Sequence, residues 1–376
     1  MKILIYCWKA YSTYFAIKNM EKIGIETFLW EDQEIEAETA DALERIIREL
    51  GKGYSAVFSY NYFKTIATAC KDRNVPYIIW TQDSPMLSLY DETTFYETNH
   101  FFCFDSEQFQ MLQQRGVGNV SYCPLAVDAD ALFRTASQDK GKTFSAQVSF
   151  VGALYSEKGM FDTIPFSPYM KGYLEGIVNT QCMIPQIRYS ELRLDEKVKK
   201  AVNNMEVPGI SADILMDNLI DRQVTAQERN RMLTAFPEEI DFKVYTNSCT
   251  TGRRTCRICG PVDYYDEMPC VFRNSNVNLN LTLRSIRKGI PLRVLDVIAS
   301  GGFLVTNAQE ELFWYFEEGQ SIVTFQDPEE MKDKTLYYLQ KDSERSRMIE
   351  NGRKIIKETF DFSVLLPQIL HRAGIV

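Results

Sequence analysis

Along the first third of the chain, short apolar runs alternate with amphipathic stretches. Residues 2–7, KILIYC, are a run of the length and character of a buried parallel strand. Residues 13–24, TYFAIKNMEKIG, space their apolar positions at helical intervals and stop at Gly24. Five more apolar runs follow: IETFLW (25–30), YSAVFSY (54–60), PYIIWTQD (76–83), HFFCFD (100–105) and VSYCPLA (120–126). Helical patterns such as AETADALERIIRELG (37–51) and SEQFQMLQQRG (106–116) lie between them. Strands alternating with helices predict a parallel, doubly wound sheet.

The polar stretch RTASQDKGK (134–142) reads as a linker, which sets a first domain at 1–142. A second set of strands opens with QVSFVGALYS (147–156). After a helical region over 157–235 it resumes at DFKVYTN (241–247), VNLNLTL (277–283), GFLVT (302–306) and SIVTF (321–325). The chain closes in amphipathic helices. The pattern predicts an α/β protein of two Rossmann-like domains with a helical insertion in the second, which spans 143–355.

Composition narrows the function classes. No apolar run reaches the length of a membrane-spanning helix, and the N-terminus shows no cleavage signal, so a cytoplasmic protein is expected. A net charge of −9 argues against a nucleic-acid binder but allows a local basic pocket. The nine cysteines, several inside apolar runs, read as reduced thiols. Cys249, Cys256, Cys259 and Cys270 include one Cys-x-x-Cys, but the spacing fits no standard zinc knuckle. They are read as loop cysteines, with zinc left open.

The most informative stretch is SIRKGIPLRVLDVIASGGFLVT (285–306). It follows a predicted strand, so Arg284, Arg287, Lys288 and Gly289 fall in a loop at that strand's carboxyl end, where open α/β sheets bind ligands. Pro291 suits the first position of the next helix, whose exposed amides favour an anion. Arg293 and Asp296 share a face of that helix. Asp296, roughly 7 Å along it, is placed to accept from ribose hydroxyls while a diphosphate occupies the helix start. The alternative is a solvated loop whose charges form surface ion pairs.

Residues 278–312, NLNLTLRSIRKGIPLRVLDVIASGGFLVTNAQEEL, resemble the donor-binding segment of GT-B glycosyltransferases, and more closely the CgeB-like (spore maturation protein type) family. WTQDSP (80–85), VSFVGALYSEK (148–158) and VDYYDEMPCVFRNSNVNLN (262–280) share the resemblance. It implies a GT-B fold with two domains facing a cleft and a last helix, 356–376, crossing back to the first domain. It implies a nucleotide-sugar donor, a UDP- or GDP-sugar, held by Gly152, Arg284, Lys288, Gly289, Arg293 and Asp296, and a glycan or protein acceptor. No cofactor or metal is implied, and the only Asp-x-Asp, at Asp128 and Asp130, lies by the linker. Many retaining enzymes of this architecture carry two glutamates eight positions apart here. This sequence has Lys288 and Asp296, so the stereochemical outcome stays open.

An inverting transfer needs a base on the acceptor side. Asp83, at the end of a predicted strand, is the best placed, ahead of Asp105 and His100; His371 is read as structural. Trp8, Tyr11, Tyr14 and Tyr60 follow the first and third strands. Trp8, Tyr11 and Tyr60 are the candidates to stack on an acceptor. The sequence thus predicts a metal-independent glycosyltransferase; the alternatives are a non-catalytic nucleotide-sugar-binding protein and a GT-B nucleotide-sugar epimerase.

Overall fold

The computed structural model describes residues 1–7, 10–138, 141–156, 166–184, 195–203, 211–250 and 252–375. Trp8 lies outside them. The chain divides into two compact units. The first comprises Met1–Ala129, Ile286–Leu295 and Ile355–Val376; the second comprises Asp130–Ser285 and Asp296–Lys354.

The first unit carries β1 (Lys2–Tyr6), α1 (Thr13–Lys22), β2 (Glu26–Trp30), α2 (Ala40–Leu50), β3 (Ala56–Tyr60), α3 (Lys64–Arg73), β4 (Tyr77–Trp80), β5 (Asn99–Cys103), α4 (Ser106–Gln114) and β6 (Val120–Tyr122). All six expected strands form. They pair in parallel in the order β2-β1-β3-β4-β5-β6. Strands β3 and β4 are wholly buried, which explains why their sequences are continuous apolar runs rather than alternations.

Asp128, in the segment leaving this sheet, is buried. It accepts a hydrogen bond from Asn19 Nδ2 at 3.1 Å and pairs with Lys22 at 3.5 Å, so its carboxylate is tied to α1.

The second unit carries α5 (Ala129–Ala136), α6 (Gly141–Phe144), β7 (Ala146–Val151), α7 (Pro168–Met183), α8 (Glu196–Asn203), α9 (Ala212–Met232), β8 (Phe242–Tyr245), β9 (Arg257–Cys259), α10 (Met268–Asn274) and β10 (Ser275–Asn280). Beyond these lie α11 (Leu292–Ala299), β11 (Leu304–Asn307), β12 (Val323–Phe325), α12 (Pro328–Leu339) and α13 (Asp342–Ile355). Helices α5 and α11 straddle the division between the units, and α13 ends on it. The sheet is again parallel and six-stranded, in the order β12-β11-β10-β7-β8-β9. Strand β9 was not expected. It is three residues long, lies at the sheet edge and contains one aliphatic residue, Ile258, so no apolar run marks it.

The last helix, α14 (Phe362–Arg372), belongs to the first unit and packs on α1. Phe362 meets Trp80 edge to face at 5.9 Å, and Val127 N donates to Phe360 O at 3.0 Å.

Strand β10 alternates as its sequence predicts, but its polar positions are buried as well. Val277, Leu279 and Leu281 enter a core with Met232, Phe236 and Met331. Asn278 and Asn280 are buried because every neighbour offers them a partner. Asn278 Oδ1 accepts from Ser149 on β7 at 2.7 Å, and its Nδ2 donates to Phe272 O and Phe303 O. Asn280 Nδ2 donates to Thr282 and to Thr306 on β11. These amides fasten the central strand to both sides.

Gly302 leaves room for this network. A Cβ there would lie 2.8 Å from Asn278 Nδ2 and from Phe272 O. Gly302→Ala should therefore destabilise the protein by about 1–3 kcal/mol through overpacking and a displaced amide. Urea unfolding checks this; a midpoint equal to wild type would contradict it.

Candidate functional site

The second sheet reverses its strand order between β7 and β10, and ligands of open α/β sheets bind outside the carboxyl ends at such a point. Gly152 follows β7 directly, and its N–H donates to Tyr245 O at 3.0 Å. The side chain that organises this point is Arg229 of α9, which is buried. Its Nη1 donates to Ala153 O at 2.6 Å, and Nε and Nη2 donate to Leu281 O. One guanidinium thereby ties the loop after β7 to the loop after β10. Phe150 and Tyr155 pack on the same guanidinium at 5.4 and 5.0 Å. Nothing in the sequence around Arg229 marks this role, because it is one arginine among several in an ordinary helical stretch.

Arg284 leaves the end of β10 toward α9. Its Nε and Nη2 clasp the Glu228 carboxylate at 3.0 and 2.5 Å, and its backbone N–H donates to Thr225 Oγ1 at 3.0 Å. Burial works against the arginine's charge, but Glu228 more than offsets this and holds its pKa above the usual value. A cavity of about 150 Å³ opens beside this pair over the ends of β10, β11 and β12; Leu281, Met232, Phe325 and Met331 form its apolar lining.

Asp296 sits on α11 and is 1 % exposed. Tyr264 Oη donates to its Oδ1 at 2.9 Å. Tyr264 is itself buried, and nothing in the sequence around it marks this role. The pair forms a neutral donor on a carboxylate, an arrangement that a ribose hydroxyl could reproduce.

Residues Ile286–Leu295, which include Lys288, Gly289 and Arg293, group with the first unit. Their anchor there is Asp105. Its Oδ2 accepts from the backbone N–H groups of Arg287 at 2.8 Å and Lys288 at 3.3 Å. Its Oδ1 caps α4 through Glu107 N at 2.9 Å. Asp105 is fully buried and committed to three backbone donors, which corrects its candidacy as a base. Gly289 is required by close approach, since a Cβ would lie 3.0 Å from Asp105 and from the Phe104 ring.

At the carboxyl end of β4, Asp83 is exposed by surface area, so water reaches it. The chain around the carboxyl is nevertheless dense enough for desolvation to raise its pKa, against a hydrogen bond from Asn61 that lowers it. Asn61 Nδ2 donates to Asp83 Oδ2 at 2.7 Å. Gln108 of α4 donates to Asp83 O at 3.0 Å.

Tyr11 is 62 % exposed, and Tyr14, also exposed, carries Lys18 over its ring. Tyr60 is a correction: it is 2 % exposed and stacked on Trp80 at 5.8 Å, because its position in β3 points it into the core rather than toward a ligand. His100 is also displaced from any role at the strand ends. It sits near the start of β5, half-buried, and burial lowers its pKa. Of the four clustered cysteines, Cys249 is exposed, while Cys270 is buried in α10 and donates to Thr135 O at 3.3 Å.

A family model described as "Glycosyl transferase-like" matches residues 222–370, from within α9 to α14. No curated protein sequence matches the chain. Among solved structures, the chain is similar to a sucrose-phosphate synthase from Thermosynechococcus elongatus, with TM-score 0.57 and 11% identity over 99% of this chain and 98% of that one. It is similar to Anabaena HepE, solved in complex with UDP and glucose, with TM-score 0.57 and 9% identity over the whole of both chains. It also resembles a UDP-forming α,α-trehalose-phosphate synthase from Burkholderia xenovorans, with TM-score 0.56 and 12% identity over 99% and 98% of the chains.

Two parallel six-stranded sheets with helices, as in these structures, are the GT-B fold. Within that fold, the segment from α9 to α14 is glycosyl transferase-like.

Asp105→Asn should leave α4 capped but turn an amide toward the Arg287 and Lys288 N–H groups. A loss of about 1–3 kcal/mol is expected from two unsatisfied donors. Urea unfolding at neutral pH measures it, and unchanged stability would contradict the anchoring role.

Proposed function

We propose that the protein transfers a sugar from a nucleotide-diphosphate donor, a UDP- or GDP-sugar, to a glycan or protein acceptor without a metal ion. In this reading it is a CgeB-like glycosyltransferase acting in the cytoplasm. The observation that carries the reading is Asp296, a carboxylate buried on α11 just beyond Lys288 and Arg293 and met by a tyrosine hydroxyl. That order of groups suits a ribose on the carboxylate and a diphosphate at the basic helix start.

Transfer breaks the bond between the anomeric carbon and the diphosphate oxygen, and the electron pair stays on the diphosphate. Lys288 and Arg293 meet that charge. Arg284 is already paired with Glu228, so we assign it to holding the loop after β10 against α9. The amide of Gly152 lies close to the donor, and Gly289 lets the basic loop pack tightly. On the acceptor side Asp83 is the base, which implies inversion at the anomeric carbon, and Tyr11 stacks on the acceptor.

A panel of UDP- and GDP-sugars with chelator present tests the donor. Release of nucleoside diphosphate that is selective for one base and insensitive to chelator supports the reading; no release and no binding with any of them would sink it. Asp296→Ala should raise the donor KM about 10-fold or more by removing the ribose contact, with unfolding still cooperative. An unchanged KM would remove Asp296 from the donor site.

Asp83→Asn should lower kcat by about 10²–10⁴-fold. The fold raises this carboxyl's pKa, so it disfavours the ionised form present at neutral pH. Removing the charge should leave the melting temperature equal or slightly higher. Wild-type turnover in this variant would exclude Asp83 as the base.

A further inference from the structure

We infer that Asn61 is a positioning residue for Asp83, a clamped amide that aims and holds the carboxylate at the carboxyl end of β4. This rests on the reading of Asp83 as the acceptor-side base.

The geometry leaves Asn61 no freedom. It directly follows β3, is 3 % exposed and has φ +63°, a left-handed conformation that asparagine tolerates better than most residues. Its own N–H donates to Trp80 O at 3.0 Å, and its carbonyl accepts from Ser59 Oγ at 2.7 Å. Its side-chain Oδ1 accepts from two consecutive backbone N–H groups, Gln82 at 2.8 Å and Asp83 at 3.2 Å. Because Oδ1 faces two donors, the amide cannot be flipped, and Nδ2 must point at Asp83 Oδ2. The turn is fixed from outside as well: Gln82 Nε2 donates to Ser12 Oγ at 2.5 Å and Gln108 Nε2 to Asp83 O.

All the side chains that bond this turn are uncharged, and no charged group is among the causes that shift the Asp83 carboxyl. Asn61 is therefore the one side chain that favours the ionised form, against desolvation. Asp83 Oδ2 is taken by Asn61, while Oδ1 makes no hydrogen bond to the described residues and is the oxygen left for chemistry. In the step, the acceptor O–H bond breaks and its proton passes to Asp83 Oδ1. The acceptor oxygen forms the bond to the anomeric carbon as the diphosphate leaves with its electron pair.

Two variants separate positioning from folding. Asn61→Gly keeps the left-handed backbone without strain and removes the amide. Asn61→Asp keeps the shape and replaces the donor with a second carboxyl. Retained cooperative unfolding qualifies each variant.

The first readout is a ¹³C NMR titration of the Asp83 carboxyl in the full-length protein, which needs no substrate. Both substitutions should move its titration to higher pH, further for Asn61→Asp because like charges adjoin. A titration unmoved in Asn61→Gly would overturn the inference.

The second readout is the pH dependence of transfer. The acidic limb of kcat should shift upward in both variants, with about 10-fold lower kcat at mildly acidic pH, recovery at alkaline pH and an unchanged donor KM. An unshifted limb in an active Asn61→Gly protein would also overturn it. If the wild-type protein turns over no donor while the carboxyl titration moves as expected, Asn61 still governs the carboxyl, and it is the reading of Asp83 as a base that fails.

Discussion

Parallel strands all finish at the same edge of their sheet, and every candidate group in this protein depends on that constraint. Hydrogen bonding in parallel register forces each connection to return by a crossover, so every carboxyl-end loop of one sheet is delivered to one side. Asn61 and Asp83 become neighbours because β3 and β4 pair in register and both end there, with Tyr60 opposite Trp80. Ala153 and Leu281 come within reach of one arginine because β7 and β10 are adjacent in the sheet, though far apart in sequence.

What keeps those loops in place is a set of buried polar side chains, each bonded to backbone. Arg229 joins two loops through carbonyls, Asp105 holds a segment through amide N–H groups, and Asn61 holds the turn after β4 through two more. A loop at a strand end has backbone groups that the ladder no longer satisfies, and these side chains meet that need. Asn278 does the same inside the second sheet, while Asn280 bonds the hydroxyls of Thr282 and Thr306. Such contacts are costly to leave half made, so they specify one arrangement of the site rather than adding much net stability.

The fold was legible because strands buried on both faces, such as β3 and β4, must be continuous apolar runs, while β10 showed itself by alternation. Strand β9 did not show itself, since it is three residues long and holds one aliphatic residue. The helix bearing Asp296 was legible from Pro291 and the glycine pair at 301–302, and Asp83 from its place after an apolar run. Arg229, Tyr264 and Asn61 were not, because their importance comes from partners that are distant in sequence. Tyr60 misled for a related reason: an aromatic residue at a strand end can face a ligand or the core, and only the packing on Trp80 decides between them.

The central claim is that a sugar nucleotide lies over the ends of β7 and β10 with its ribose on Asp296. Hydrogen–deuterium exchange of the full-length protein, with and without saturating UDP or GDP, tests it without requiring an acceptor. The account predicts slower exchange in the segments around Gly152, Tyr264 and 284–296, with the rest of the protein little changed. Binding that slows exchange elsewhere and leaves these three segments untouched would contradict it.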